Sequence, residues 1–217
     1  MTDFAKSRVA MVDRQVRPSD VTSFPIIDAM LGVPRERYTP VALRAVAYAD
    51  APLTLAPGRE MLDPRVFAKM LDGANIGPDD LVLDLAPGLG YSTAVIARMA
   101  AAVIAIEPDP ALAAAGAEIL IAQEVDNALL SEGAAAAGDP AHGPYDAIFI
   151  NGAVGAPPMS LHGQVKEGGR IVAIEMNGAN GRAMAYIRDG AGFQPRALFN
   201  ATGLILPGFE KVEEFAL

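Results

Sequence analysis

Asp84 and Glu107 are the residues from which chemistry can be argued. They flank a glycine turn in the stretch LVLDLAPGLGYSTAVIARMAAAVIAIEPD, residues 81–109. An acid at the end of a second strand can accept hydrogen bonds from both ribose hydroxyls, and Glu107 is spaced for that. Gly88 and Gly90 lack side chains, so a ligand can come against the backbone there. Pro87 stiffens the turn. The helix beginning near Tyr91 offers free N–H groups to a ligand carboxylate. Asp84, before the turn, suits a free amino group. An adenosine, an amino group and a carboxylate together describe S-adenosylmethionine, with S-adenosylhomocysteine as its product. A nicotinamide dinucleotide fits less well, because the run Gly88-Leu89-Gly90-Tyr91-Ser92-Thr93 lacks the third glycine of its fingerprint. ATP fits less well again, for want of a G-x-x-x-x-G-K-[ST] loop.

These residues need strands to carry them. Leu81–Leu85 reads as a buried strand, Tyr91–Met99 as a helix, Ala102–Ile106 as a second strand and Pro110–Ala122 as an alanine-rich helix. Asn127–Leu130, Asp146–Ile150 and Arg170–Ile174 are further strands. Continuous apolar strands alternating with helices imply a mostly parallel, doubly wound sheet covered on both faces. Ala183–Arg188 and Arg196–Leu206 suggest an antiparallel finish. The fold class expected is therefore α/β and Rossmann-like, with antiparallel C-terminal strands and an N-terminal helical segment. Residues 1–64 hold that segment and a Pro/Gly-rich loop at 51–64, and residues 65–217 hold the core, in one compact domain. Asp20 is a candidate cap for the helix containing Ile26, Ile27 and Met30. Val66–Ala74 reads as the helix after the loop.

Composition removes other classes. The 217 residues include no cysteine, which excludes disulfides, thiolate nucleophiles and cysteine–zinc sites. No metal site is expected. The formal net charge of -9 argues against nucleic-acid binding, which wants a basic footprint. No run approaches the roughly 18 apolar residues of a membrane span, and no signal-peptide core opens the chain. A cytoplasmic protein is expected.

The chain resembles the protein-L-isoaspartate O-methyltransferase family in several blocks in the same order. MVDRQVRPSDVTSFPIIDAMLGVPRERYTP is similar to that family's N-terminal segment, AYADAPLTL to its next block, and DLAPGLGYSTAVIA to its cofactor turn. PYDAIFINGAVGAPPMSLHGQVKEGGRIV is similar to its later core. The resemblance implies a class I methyltransferase fold. It also implies methyl transfer from S-adenosylmethionine to the carboxylate of isoaspartyl residues in damaged proteins, so the partner is a protein or peptide. A carboxylate is ionised at neutral pH, so no general base is required, and neither His142 nor His162 sits in a catalytic motif. The implied cofactor residues are Asp84, Ala86, Gly88, Gly90 and Glu107, with Ala86 standing where the family has the turn's first glycine. On the acceptor side the candidates are Arg59, Leu62 and Asn151.

The sequence departs from the family at three places. Leu62 and Asp63 replace a serine and a glutamine of the acceptor loop. Gly133-Ala134-Ala135 replaces a Gly-Asp-Gly whose acid meets adenine, leaving Glu132 or Asp139 as substitutes. Asn151-Gly152-Ala153 replaces Thr-Ala-Ala. The alternatives are a related methyltransferase with another acceptor, such as a small molecule, and a non-catalytic S-adenosylmethionine-binding protein.

Overall fold

A computed structural model describes residues 3–211; positions 1–2 and 212–217 of the two expected segments lie outside the described residues. The N-terminal segment is helical, as expected. Helix α1 (Phe4–Met11) runs into a π turn at Val12–Val16, and α2 (Phe24–Gly32) is followed by 3-10 turns at Arg35–Tyr38 and Val41–Val46. Asp20 does not cap α2: it takes a left-handed conformation, and Ser23 holds the N-cap position. The stretch at 51–64 is more ordered than a loop. Leu53–Ala56 (β1) and Arg59–Met61 (β2) pair as a small antiparallel hairpin turning at Pro57-Gly58. Asp63 then caps α3 (Pro64–Ala74), its carboxylate accepting from the Val66 N–H, with Pro64 at the first helical position.

The main sheet follows the expected course except at its last strand, expected at Arg196–Leu206 and found at Gly192–Asn200. Its strands are β3 (Leu81–Leu85), β4 (Ala102–Glu107), β5 (Ala128–Glu132), β6 (Tyr145–Val154), β7 (Val165–Asn177), β8 (Asn180–Asp189) and β9 (Gly192–Asn200). Helix α4 (Tyr91–Ala97) joins β3 to β4, and α5 (Pro110–Ala122), capped by Asp109, joins β4 to β5. The strand order is β5-β4-β3-β6-β7-β8-β9. The first five strands are parallel; β8 and β9 are antiparallel. Strand order reverses between β3 and β6, which puts a ligand crevice beyond their carboxyl ends.

The two faces of the sheet are covered differently. Alternation sends Val82, Val103, Phe149 and Val172 to one side, where they join a core with Met30, Phe67 and Val95 from the helices. Leu83, Ile106, Ile148 and Ile171 point the other way and pack under Ala135, Leu161, Leu206 and Phe209. That second cover is made of 3-10 turns and the extended segment after β9, not of α-helices. Arg170 ties the amino ends of the strands together. Its guanidinium donates to the carbonyls of Ala74, Asn75 and Asp146 and pairs with Asp80 at 2.6 Å. Among the described residues no helix is long and apolar enough to cross a membrane.

Candidate active site

The turn after β3 keeps the backbone that the sequence called for. Gly88 (φ 63°) and Gly90 (φ 90°) are left-handed, a conformation glycine enters without steric cost. Ala86 is also left-handed, at φ 59°, and keeps the conformation that a glycine would adopt freely. Helix α5 comes close to this turn at Gly116, where a Cβ would stand 3.1 Å from the Gly88 carbonyl oxygen.

Asp84 is fully buried at the end of β3, and its carboxylate is occupied by its own chain. Ser92 Oγ (2.8 Å) and Thr93 Oγ1 (2.7 Å), in the first turn of α4, donate to one oxygen. Asn151 Nδ2 donates to the other at 2.6 Å and to the Leu85 carbonyl at 3.1 Å. Burial pushes the Asp84 carboxyl up to about 6, against the opposing pull of the Thr93, Ser92 and Asn151 donors. Asn151, offered for the acceptor side, therefore positions Asp84.

Glu107 lies beside it at the end of β4, with no exposed surface. Gly88 N–H donates to Oε2 at 2.7 Å and Asp109 N–H to Oε1 at 3.0 Å. Arg59 completes the set in a two-pronged pair, Nε to Oε1 at 3.1 Å and Nη2 to Oε2 at 2.7 Å, and Nη2 also donates to the Ala86 carbonyl at 2.7 Å. Arg59 is 5% exposed. The sequence offers it for the acceptor side; the hairpin carries it onto the strand-end acid, where its fork matches the Glu107 carboxylate and compensates that buried charge.

Leu62 packs in the main core at 8% exposure, and its carbonyl accepts from Arg35 Nη2 at 2.7 Å. Arg35 is wholly buried, also donates to the Ala47 carbonyl, and lies 4.8 Å from the Tyr91 ring centre. Its role escaped sequence reading, since nothing in Pro34-Arg35-Glu36 announces burial. Ser92 and Thr93 were legible in principle: hydroxyls in the first turn after a strand-end acid are placed to donate to it. His142 meets Asp139 on the surface, and the half-buried His162 stacks edge-on against Phe193; neither reaches Asp84 or Glu107. Asp139 is spent on Ala141 and His142, so of the two adenine-side substitutes only the exposed Glu132, paired in register with Glu107, has no such engagement.

A parallel sheet reversing at β3 and β6, two antiparallel strands at one edge, and acids closing the first two strands around a glycine turn define a class I methyltransferase. Two solved structures share the fold across nearly all of the chain. One, described as a protein-L-isoaspartate O-methyltransferase, has a TM-score of 0.80 at 20% identity, over 94% of this chain and 66% of that one. The other is a protein from Plasmodium falciparum described as a putative protein-L-isoaspartate O-methyltransferase in complex with S-adenosyl-L-homocysteine. It has a TM-score of 0.78 at 18% identity, over 95% of this chain and 99% of that one. The profile of the family described as Protein-L-isoaspartate(D-aspartate) O-methyltransferase matches residues 6–193. The chain belongs to that family. The protein-L-isoaspartate O-methyltransferase of Methylorubrum extorquens (strain PA1) is 37% identical over 170 residues, 78% of this chain and 74% of its own. That of Roseiflexus castenholzii (strain DSM 13941 / HLO8) is 33% identical over 186 residues, 86% of this chain and 84% of its own. The family's methyl donor is S-adenosylmethionine.

The donor's fit can be judged from these residues. The turn and both strand-end acids are right in kind. The space is not open: Leu55 of β1 lies over Gly88, where a Cβ would collide with its Cδ1, and Arg59 covers Glu107. Beneath the hairpin, the void lined among others by Glu60, Leu62, Pro87, Tyr91, Ser92 and Asn151 is only about 10 Å³. As folded, Leu55 and Arg59 occupy the faces of Gly88 and Glu107 that a donor would use.

Proposed function

We propose that the chain is a carboxyl O-methyltransferase acting on isoaspartyl residues of damaged proteins, with S-adenosylmethionine as donor. The observation that carries this is the juxtaposition of Asp84 and Glu107 on adjacent parallel strands around the Gly88–Gly90 turn, in a chain of that family. The nucleophile is the substrate's own carboxylate, already ionised at neutral pH, so the protein has to exclude water and hold the acceptor rather than remove a proton.

The acceptor has a candidate place. A groove of about 860 Å³ opens beside Asp63 and is lined by Arg65, Glu175, Asn177, Arg182 and Thr202. Its mixed charges suit an extended peptide carrying a carboxylate. The net charge of -9 supports a protein rather than a nucleic acid as the macromolecular partner, and we place the reaction in the cytoplasm, in keeping with a chain that has no cysteine.

One observation favours a second reading, a different carboxylate or small-molecule acceptor. Leu62 brings no hydroxyl and Asp63 is committed to capping α3. Transfer of labelled methyl to an isoaspartyl peptide, beside the same peptide with ordinary aspartate, separates the two. Labelling of the isoaspartyl form alone supports the first reading. Donor binding with no labelling of either peptide favours the second.

A further inference from the structure

We infer that the β1–β2 hairpin is a built-in occupant of the adenosine site, with Arg59 on Glu107 in the place of the ribose hydroxyls. Donor binding then requires the hairpin to lift, and Arg59 sets the donor affinity. This rests on the proposed function, which supplies the donor.

The chemistry of the substitution is direct. A ribose offers a strand-end carboxylate two neighbouring donors. The Arg59 guanidinium also offers two, Nε–H and Nη2–H, in the parallel geometry that matches a carboxylate. With the Gly88 and Asp109 N–H groups, Glu107 accepts four hydrogen bonds from its own chain and is sealed from solvent. The second contact is independent of charge. The side of Gly88 that lacks a Cβ, free for a ligand by sequence, is filled by Leu55 from the other strand of the same hairpin. Third, β2 lies close on the start of α4: the void between Glu60–Leu62 and Pro87, Tyr91 and Ser92 is about 10 Å³, room for about one water.

The hairpin is built so that it can move as a unit. It is a separate two-stranded sheet, with a register shift between Thr54 and Ala56, and its backbone does not pair with the strands of the main sheet. Such a pair is marginally stable by itself. Leu53, Met61 and the Arg59 pair hold it down. When the competent state is a minor fraction of the protein, the apparent dissociation constant is the intrinsic one divided by that fraction.

The test is calorimetric titration of S-adenosylhomocysteine into wild type, Arg59→Met and Leu55→Ala. Methionine keeps the apolar stem and removes the fork. Arg59→Met should bind at least about tenfold tighter than wild type, and Leu55→Ala should also gain. If burying Glu107 without a cation prevents folding of Arg59→Met, Arg59→Lys keeps the charge, loses the two-pronged geometry, and should gain several-fold. Amide hydrogen exchange of wild type gives a second readout: saturating S-adenosylhomocysteine should speed exchange across residues 53–61. Equal or weaker binding by the variants, or slowed exchange in the hairpin, overturns the inference while leaving the donor assignment in place. Absence of binding to every form overturns both.

Discussion

A buried acid held by three donors titrates as part of the fold. The Asp84 carboxyl sits at about 6, above its ordinary 3.8, because burial outweighs the Thr93, Ser92 and Asn151 donors. The native state therefore holds this proton more tightly than the unfolded chain does. The contribution of Asp84 to stability is greatest below about pH 4, is lost as pH rises towards 6, and is flat above. Urea denaturation of wild type and Asp84→Asn across pH 4–7 should show wild type losing about 2 kcal/mol relative to the variant. A difference that does not change with pH would contradict this environment for Asp84. Leu62 yields a prediction with two parts. Leu62→Ser removes a core side chain, so the denaturation midpoint should fall, by about 2–5 kcal/mol on the scale of Leu-to-Ala losses. It also places a hydroxyl in the acceptor loop, so single-turnover methylation of an isoaspartyl peptide should rise. A lower midpoint without any gain in rate would mean that position 62 does not face the acceptor.

At the scale of elements, caps carry predictable weight. Asp63→Ala removes the side-chain acceptor at the start of α3 and should cost about 1 kcal/mol, read as a lower urea midpoint at unchanged slope. The same local rules explain what could be read in advance. Leu81–Leu85 and Pro110–Ala122 match their observed bounds because a continuous apolar run and an Asp-Pro cap act within their own residues. The hairpin escaped because β1 and β2 have only four and three residues, separated by Pro57-Gly58, too short for alternation to register. Arg59 escaped for a different reason: its partner lies 48 positions away, and pairing at that distance leaves no mark in local pattern. The positions of Asp84 and Glu107 near the strand ends and of Gly88 and Gly90 in the turn could be read from local pattern. What fills the space between them could not.

For the molecule as a whole, the donor is the decisive ligand. S-adenosylhomocysteine at about 100 times its apparent dissociation constant should add about 2.7 kcal/mol, raising the melting temperature by about 2–4 °C per kcal/mol at this size. NAD at the same concentration should leave it unchanged. A shift with NAD instead would transfer the turn to dinucleotide chemistry. The net charge of -9 is a property of this scale too, and it concerns solubility and the choice of partners rather than the site.

Arg170 makes the closing of one end of the sheet a long-range matter. It is the cation that holds the carbonyls closing α3 and the Asp80 carboxylate, some 90 to 96 positions earlier in the chain. The N-terminal helices rest on α3. While the chain is being made, this tie cannot form until residue 170 has been added. The end of α3 is thus fastened to the sheet by a side chain that enters the chain more than ninety positions later.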